Sequence, residues 1–256
     1  MDIAAVRQLH DRQERREAAY SGARSEILPG LTRQVHVSGG WGAIVFTNLP
    51  EDDLDHVIAE QVAYFDALGL EFEWKVYGHD RPGTLGEHLL RNGFEEDEIE
   101  SVMVLDLDRD HGLLERSSLW EVRRIDDRSG LHAIAAVFEA VRGVPFHDFE
   151  QFASELEQNP EYVSFFVAEV NGIPVSTARV TFTPDSDFAG LWGGSTHPDY
   201  RGRGLYTSLV AARAQEARRR GRRYLVVDAG QMSAPILRHL GFKEITTARA
   251  YTRRPQ

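Results

Sequence analysis

Several residue types are scarce or missing in this sequence of 256 residues. It has no cysteine, which excludes disulfide bonds, thiolate metal sites and a cysteine nucleophile. Lysine occurs only as Lys75 and Lys243, so arginine supplies nearly all of the positive charge. No apolar run approaches the roughly 20 residues that span a bilayer, and the first residues lack a signal-peptide core. We therefore expect a cytoplasmic protein without a membrane partner.

The acidic residues are concentrated in the first half of the chain. Residues 1–115 carry 10 Lys and Arg against 24 Asp and Glu, a net charge of −14. Residues 116–256 carry 19 against 16, a net charge of +3. The acidic half argues against nucleic acid as a partner, and a bound anion is better tolerated in the second half. A general role in solubility explains the acidity equally well.

The periodicity of the second half is typical of a mixed α/β sheet. Asn171-Gly172, between two apolar runs, predicts a β-hairpin. The predicted order is β-α-α-β-β-β-α-β-α-β. The predicted ranges are strand Ser118–Ile125, helices Asp127–Arg142 and Asp148–Glu157, strands Val163–Val170, Ile173–Phe182 and Phe188–Ser195, a helix from Leu205 to the residue before Gly221, strand Tyr224–Val227, a helix around Ser233–Leu240 and strand Phe242–Arg253.

The first half repeats part of this pattern. Strand Trp74–Gly78, helix Leu85–Leu90, the dipeptide Gly93-Phe94 and strand Glu100–Leu107 follow one another. The same order returns near the end of the chain, where Gly241-Phe242 separates the last predicted helix from the last strand. Because such repeats often mark duplication, we expect a tandem arrangement.

The segment Ser195–Val210 combines the features of a polyphosphate site. It contains His197-Pro-Asp-Tyr-Arg-Gly-Arg-Gly-Leu205 between a predicted strand end and a predicted helix start. Glycines allow a sharp turn and a close approach to a ligand. The helix start offers N–H groups and a positive dipole end, and Arg201 and Arg203 add charges suited to phosphate.

Other phosphate-binding loops match less well. A Walker loop ends in Gly-Lys-Ser/Thr, which is absent from this chain. A dinucleotide fingerprint needs a third glycine near Thr207 and an acid about 20 residues further on. Asp228 lies close to that distance, but it follows a different strand and the third glycine is missing.

The loop resembles the acyl-CoA pyrophosphate loop of the GNAT acetyltransferase superfamily, Arg/Gln-x-x-Gly-x-Gly/Ala. Leu240-Gly241-Phe242 is similar to the family's next motif, and the resemblance covers residues 118–256. It implies an α/β fold with a mixed, mainly antiparallel GNAT-type sheet flanked by helices. We predict two GNAT-like lobes: residues 1–115, degenerate and without a CoA loop, and residues 116–256, which bind acetyl-CoA.

The resemblance also implies a function, namely transfer of an acetyl group from acetyl-CoA to an amine of a small molecule or peptide, without a metal. The acidic first half suggests a cationic acceptor. The residues assigned to acetyl-CoA binding are Ser195, Thr196, His197, Arg201, Gly202, Arg203, Gly204, Leu205, Tyr206 and Thr207. The oligomeric state stays open.

The sequence departs from the family at three places. Tyr206 stands where the loop motif has Gly or Ala. Leu237, four residues before the glycine of Gly-Phe, stands where the family often has a tyrosine that acts as the general acid. The strand before the loop also lacks a carboxylate. The catalytic residues are therefore unknown, and the polar candidates nearby are Ser195, Tyr206, Asp228, Ser233 and His239.

The first half has Leu49-Pro-Glu-Asp-Asp53 where the second half has its loop. Carboxylates at a helix start repel phosphate and can satisfy the helix N–H groups themselves. We therefore expect no CoA site there, and Trp41, Trp74 and Tyr77 are expected in the core. Two other functions remain open for the chain, a non-catalytic acyl-CoA sensor and a structural or interaction module with a relic loop.

Overall fold

The computed structural model describes residues 1–37, 40–109, 112–116 and 119–255. The chain divides into two compact units. The first unit consists of Met1–Met103, Asp228–Pro235 and Lys243–Gln256, and the second unit consists of Val104–Val227 and Ile236–Phe242. The predicted lobes, 1–115 and 116–256, follow the repeated sequence pattern, whereas the two units are defined by their compactness. The division into lobes stays a prediction.

The secondary structure alternates short strands with helices. The strands are β1 Ala23–Leu28, β2 Leu31–His36, β3 Gly42–Thr47, β4 Phe72–Tyr77, β5 Glu95–Glu96, β6 Glu100–Asp106, β7 Glu121–Ile125, β8 Val163–Val170, β9 Ile173–Thr181, β10 Phe188–Thr196, β11 Tyr224–Ala229 and β12 Lys243–Arg253. The α-helices are α1 Ile3–His10, α2 Leu54–Leu68, α3 Leu85–Arg91, α4 His132–Arg142, α5 Phe149–Gln158, α6 Leu205–Arg219 and α7 Ala234–His239. A π-helical segment follows α1, and short 3-10 turns precede α2, α4 and α6.

The predicted order of the second half is confirmed. Ser118, the predicted start of the first strand, lies outside the described residues, and the observed strand begins at Glu121. The Asn171-Gly172 turn has φ values of 52° and 76°, because a tight hairpin turn of the favoured kind needs two left-handed residues. Helix α4 ends at Gly143, which is also left-handed, with φ of 71°.

The second unit is built on the strand order β11-β10-β9-β8-β7. Strands β7 to β10 pair in antiparallel fashion, and β10 pairs with β11 in parallel. Helices α4 and α5 pack with β7 and β8 around a shared apolar cluster. That cluster consists of Ile125, Leu131, Ala133, Ile134, Ala153, Val163, Phe165 and Val167. The predicted fold class, a mixed and mainly antiparallel sheet flanked by helices, is confirmed.

The first unit has the strand order β1-β2-β3-β4-β12, and β5 pairs with β12. Its core includes Trp74 and Tyr77, as expected, whereas Trp41 is half-buried. Strand β4 pairs along its length with the last six residues of β12, from Ala248 opposite Tyr77 to Arg253 opposite Phe72. Among the described residues, no helix combines the length and the apolar character needed to cross a bilayer.

Both units contain the same parallel strand pair. Gly42–Ile44 on β3 pairs with Phe72–Trp74 on β4, and Phe188–Gly190 on β10 pairs with Tyr224–Val226 on β11. Each ladder contains three residue pairs. A helix connects the two strands in each case, α2 in the first and α6 in the second, which is the connection that parallel strands require.

The turns after α3 and α7 are also alike. Phe94 donates its N–H to the carbonyl of Leu89 at 3.2 Å, and Phe242 donates to Leu237 at 3.0 Å. The glycine between has a φ of 83° in the first turn and 95° in the second. Both leucines are fully buried, as in a helix end closed by a left-handed glycine. The repeated sequence pattern therefore reflects a repeated structure.

A buried ion pair links the N-terminal segment of the first unit to its sheet. Arg15 Nη2 lies 2.7 Å from both carboxylate oxygens of Asp80, and its Nε donates to the carbonyl of Val45 at 3.0 Å. Its guanidinium carbon lies 3.6 Å from the ring centroid of Tyr77. Removing one member of a buried pair leaves an uncompensated charge.

We predict that Arg15→Met lowers the free energy of unfolding by about 3–5 kcal/mol. Asp80→Asn in the same chain should restore part of that loss, because the uncompensated charge is then gone. Urea unfolding measures both. Arg16→Met is the matched control, because Arg16 is exposed, and it should cost under about 1 kcal/mol. Equal losses for Arg15→Met and Arg16→Met would contradict the prediction.

His10 makes the stability of the first unit depend on pH. Burial lowers its pKa to about 4, Asp228 and Asp11 oppose the shift, and Arg15 and His79 support it. The unfolded chain binds this proton near pH 6.5, whereas the folded chain binds it near pH 4. His10 therefore contributes full stability above pH 6.5, and its contribution declines as the pH falls toward 4.

Between pH 8 and pH 5 we expect His10 to account for about 2 kcal/mol of lost unfolding free energy. His10→Gln should flatten the pH dependence by that amount in urea melts at both pH values. His56→Gln, which changes an exposed histidine, should leave the slope as it is. An unchanged slope for His10→Gln would show that another group carries the acid sensitivity.

Candidate active site

Strand β10 departs from regular pairing as it approaches the loop. Its ladder with β9 shifts register between Trp192 and Ser195, and Gly193 in this bulge has a φ of 59°. Its parallel ladder with β11 ends at Gly190 in the described part of the chain. Beyond that point the β11-facing edge of β10 can accept an extended ligand segment as an added strand.

The end of β10 is held from the neighbouring strand. Ser176 Oγ, which is fully buried, donates to the carbonyl of Ser195 at 2.8 Å and lies 2.7 Å from Thr196 Oγ1. The N–H of His197 donates to the carbonyl of Val175 at 2.9 Å. These bonds fix the backbone just before the glycine-rich loop.

The loop itself uses two left-handed glycines. Gly202 has a φ of 72° and Gly204 a φ of 84°. An added Cβ would meet nothing within 4 Å at either position, so the requirement for glycine is conformational rather than steric. Both residues are exposed, which leaves the loop backbone open to a ligand.

Three polar contacts stiffen the loop. Arg201 Nε donates to the carbonyl of Thr196 at 3.2 Å, and Arg203 Nη2 donates to the carbonyl of Asp199 at 2.9 Å. The indole of Trp120 donates to the carbonyl of Arg203 at 2.8 Å. Both arginines stay exposed and carry their charge on the loop surface.

Helix α6 begins at the end of the loop, with Gly204 as its N-cap. No side chain caps this start, and its first turn holds no acidic residue. The N–H of Ser208 donates to the carbonyl of Gly204 at 3.0 Å. The first backbone N–H groups of an α-helix precede that bond and point away from the helix at its start. Together with the dipole, they form a site suited to an anion.

Tyr206 does not block this site. Its ring packs on Gly194, where an added Cβ would lie 3.0 Å from Tyr206 Cε2. Its hydroxyl group is hydrogen-bonded to Arg213, a buried side chain on the same helix, and burial lowers the pKa of Arg213 to about 10. The tyrosine therefore points toward the bulge of β10, and this departure from the family pattern leaves the helix start open.

The ten predicted site residues lie along one stretch of the second unit, from the end of β10 to the first turn of α6. All of them are at least partly exposed except Leu205, which is buried. It does not single out a catalytic acid or base. Leu237 is fully buried. Asp228 pairs with Lys75 at 2.7 Å, Ser233 Oγ donates to the carbonyl of Gly230 at 3.2 Å, and His239 is exposed on its helix.

A cavity that the sequence pattern does not indicate adjoins the bulge. It has a volume of about 190 Å³ and reaches Gly193 and Ser195. Its remaining lining comes from α4, the segment 146–152, β8 and β9: Ile134, Phe138, Arg142, Phe146, Asp148, Phe152, Phe165, Thr177, Ala178 and Arg179. One available sequence signal was Arg179, the one charged residue of strand β9.

The first unit has no such loop at its corresponding helix start. Glu51–Asp53 forms a 3-10 turn before α2, and no side chain caps either element. The expectation that these carboxylates cap the helix is wrong, because Glu51 instead accepts a hydrogen bond from Thr84 at 3.1 Å. Their negative charge still disfavours an anion there.

Comparison with known proteins agrees with this geometry. Residues 131–242 match the model of the acetyltransferase (GNAT) family, while no curated protein sequence matches the chain. A GCN5-related N-acetyltransferase from Kribbella flavida is similar over 99% of this chain and 94% of its own, with 17% identity and a TM-score of 0.71. A functionally unknown conserved protein from Staphylococcus epidermidis is similar over 93% of this chain and 96% of its own, with 12% identity and a TM-score of 0.66.

A tandem GNAT protein from the clavulanic acid biosynthesis pathway is similar over 93% of this chain and 85% of its own, with 14% identity and a TM-score of 0.58. At these identities the solved structures establish a shared fold. The chain therefore carries a domain of the GNAT acetyltransferase family over residues 131–242, and along nearly its whole length it has the fold of GNAT proteins, a tandem one among them.

Proposed function

We propose that this protein is an N-acetyltransferase that moves an acetyl group from acetyl-CoA to an amine of a small molecule or peptide. The observation that carries the proposal is the uncapped start of α6 behind two left-handed glycines, inside a GNAT-family domain. The family supports acyl transfer in general. Within that general reaction we propose acetyl-CoA as the donor and an amine as the acceptor.

The residues at the loop fit the pyrophosphate of CoA. Their amides and the helix dipole favour an anion, and the guanidinium groups of Arg201 and Arg203 are exposed beside them. The residues assigned to this role are Ser195, Thr196, His197, Arg201, Gly202, Arg203, Gly204, Leu205, Tyr206 and Thr207. When bound, acetyl-CoA supplies an activated acyl group as a thioester.

The chain then has to position the amine and stabilise charge. The amine nitrogen bonds to the acetyl carbon as the carbon–sulfur bond breaks, and one proton passes overall from nitrogen to sulfur. A backbone N–H near the bulge would stabilise the negative charge that develops on the thioester oxygen. The N–H of His197 is excluded, because it already bonds to Val175, so this role falls to residues nearer Gly193.

One observation favours a non-catalytic acyl-CoA sensor as the second candidate. Leu237, at the position where the family often has its acid, is fully buried beneath a helix end. Its counterpart Leu89 has the same place in the first unit. A leucine built into this turn cannot protonate a thiolate, so an enzyme would need another acid or solvent for that step.

We predict that Gly204→Glu weakens CoA binding at least about tenfold in calorimetry, since the left-handed backbone strains any side chain and the carboxylate repels phosphate. Gly204→Gln separates the two causes, because it keeps the strain and lacks the charge. Glu51→Gln, at the corresponding start in the first unit, should bind CoA as the unaltered chain does. Equal binding by Gly204→Glu and Glu51→Gln would place the CoA site elsewhere.

Thiol release from acetyl-CoA across a panel of amines separates the two functions. An enzyme releases thiol with at least one amine, whereas a sensor binds acetyl-CoA and releases none. The same panel at rising ionic strength tests the hypothesis of a cationic acceptor, which requires turnover to fall with salt. Turnover indifferent to both salt and acceptor charge would refute that hypothesis.

A further inference from the structure

The cavity beside the bulge of β10 is lined by a chain of touching aromatic rings. Ring centroids lie 5.2 Å apart between Phe138 and Phe146, 5.3 Å between Phe146 and Phe152, and 5.0 Å between Phe152 and Phe165. A surface of four phenylalanines favours an apolar, especially an aromatic, ligand body. The volume of about 190 Å³ is below the usual range of about 300–1,000 Å³ for ligand pockets and restricts the occupant to a small molecule.

Arg179 brings a positive charge into this apolar cavity. Its guanidinium carbon lies 4.6 Å from the ring centroid of Phe152. Its Nε is buried without a hydrogen-bond partner among the described residues. Burial lowers the pKa of Arg179, and Glu155, Tyr162 and Asp148 oppose that shift only through longer-range attraction.

Such an arrangement indicates a missing partner. Buried arginines are normally paired with a carboxylate, and buried donors are normally hydrogen-bonded. Arg179 is half-buried as a whole, but its Nε is a desolvated donor that meets no acceptor in the part of the chain that the structure describes, and the side chain lines a small cavity. A carboxylate suits the planar guanidinium best, because the two can form parallel hydrogen bonds.

Arg179 is also close to the proposed place of acyl transfer. The Cβ of an alanine at Gly193 would lie 4.0 Å from Arg179 Cγ, and Gly193 and Ser195 line the same cavity. The stem of Arg179 therefore adjoins the bulge and its guanidinium group lies over Phe152, so a carboxylate that it binds shares one cavity with Gly193 and Ser195. If the bound molecule is an α-amino acid, its amine can reach the bulge while its side chain lies among the phenylalanines.

We infer that this cavity binds an apolar, preferably aromatic, α-amino acid, whose carboxylate pairs with Arg179 and whose side chain packs on the four phenylalanines. Given the proposed function, which this inference builds on, the amino acid is the acetyl acceptor. An acceptor with positive charge alone would leave Arg179 unpaired and would be repelled by it. The cavity lining carries two arginines, Arg142 and Arg179, against one carboxylate, Asp148. This balance of charge opposes the purely cationic acceptor suggested by the acidic first half.

Direct binding tests the cavity independently of turnover. The probes are L-phenylalanine, L-phenylalaninamide and 2-phenylethylamine, titrated into the full chain with ligand-observed NMR. We expect L-phenylalanine to bind at least tenfold more tightly than the two probes without a carboxylate. Arg179→Met should abolish that preference, and Arg179→Lys should keep part of it. Arg123→Met is the matched control, since Arg123 pairs with Glu169 on β7 and β8, outside the cavity.

Thermal melting of each variant is the control for folding, and we expect Arg179→Met to melt cooperatively. Kinetics then assign the role, because Arg179→Met should raise the KM for L-phenylalanine at least tenfold and leave the KM for acetyl-CoA unchanged. Equal binding of the acid and its amide would overturn the inference, and so would a rise confined to the KM for acetyl-CoA. Preferential turnover of the polycation spermidine would also overturn it.

The two proposals fail in different ways. If L-phenylalanine binds through Arg179 but no amine is acetylated, the site stands and the proposed enzymatic function falls. If other amines are acetylated and the unaltered chain does not distinguish L-phenylalanine from its amide, the function stands and the assignment of the cavity falls.

Discussion

The site depends on one constraint, the short parallel contact between β10 and β11. The two strands share three residue pairs and then lose their pairing, while a bulge at Gly193 redirects β10 on its other edge. A longer ladder would close the edge that an extended ligand can use, and a regular β10 would move Ser195 to the opposite face. The loop, the helix start and the cavity are all placed by where this pairing stops.

Local chemistry made the loop and much of the fold predictable from the sequence. Asn171-Gly172 specified a hairpin, and Gly241-Phe242 specified a helix end, because each needs a left-handed backbone that few residues adopt. Gly202 and Gly204 are informative for the same reason. The repeated strand and helix order was likewise visible, since periodicity records which face of each element is buried.

The cavity and the partners of charged residues were not predictable, because they depend on long-range contacts. Lys75 and Asp228 are 153 residues apart in sequence, yet they form an ion pair. Arg179 meets Phe152 across a helix–sheet interface, and no local pattern encodes that meeting. The position of Tyr206 was a matter of packing too, since only the structure shows its ring against Gly194.

The pairing of β12 with β4 affects the order in which the chain can fold. Residues 248–253 pair with β4 in the sheet of the first unit, and Arg253 forms an ion pair with Asp66 across 187 positions. The ribosome therefore synthesises the entire second unit before the strand that completes this sheet becomes available. Until then β4 presents an unpaired edge, which is open to wrong partners. The cost of this topology therefore falls on the folding of the growing chain, where an unpaired strand edge favours aggregation, rather than on the stability of the finished protein.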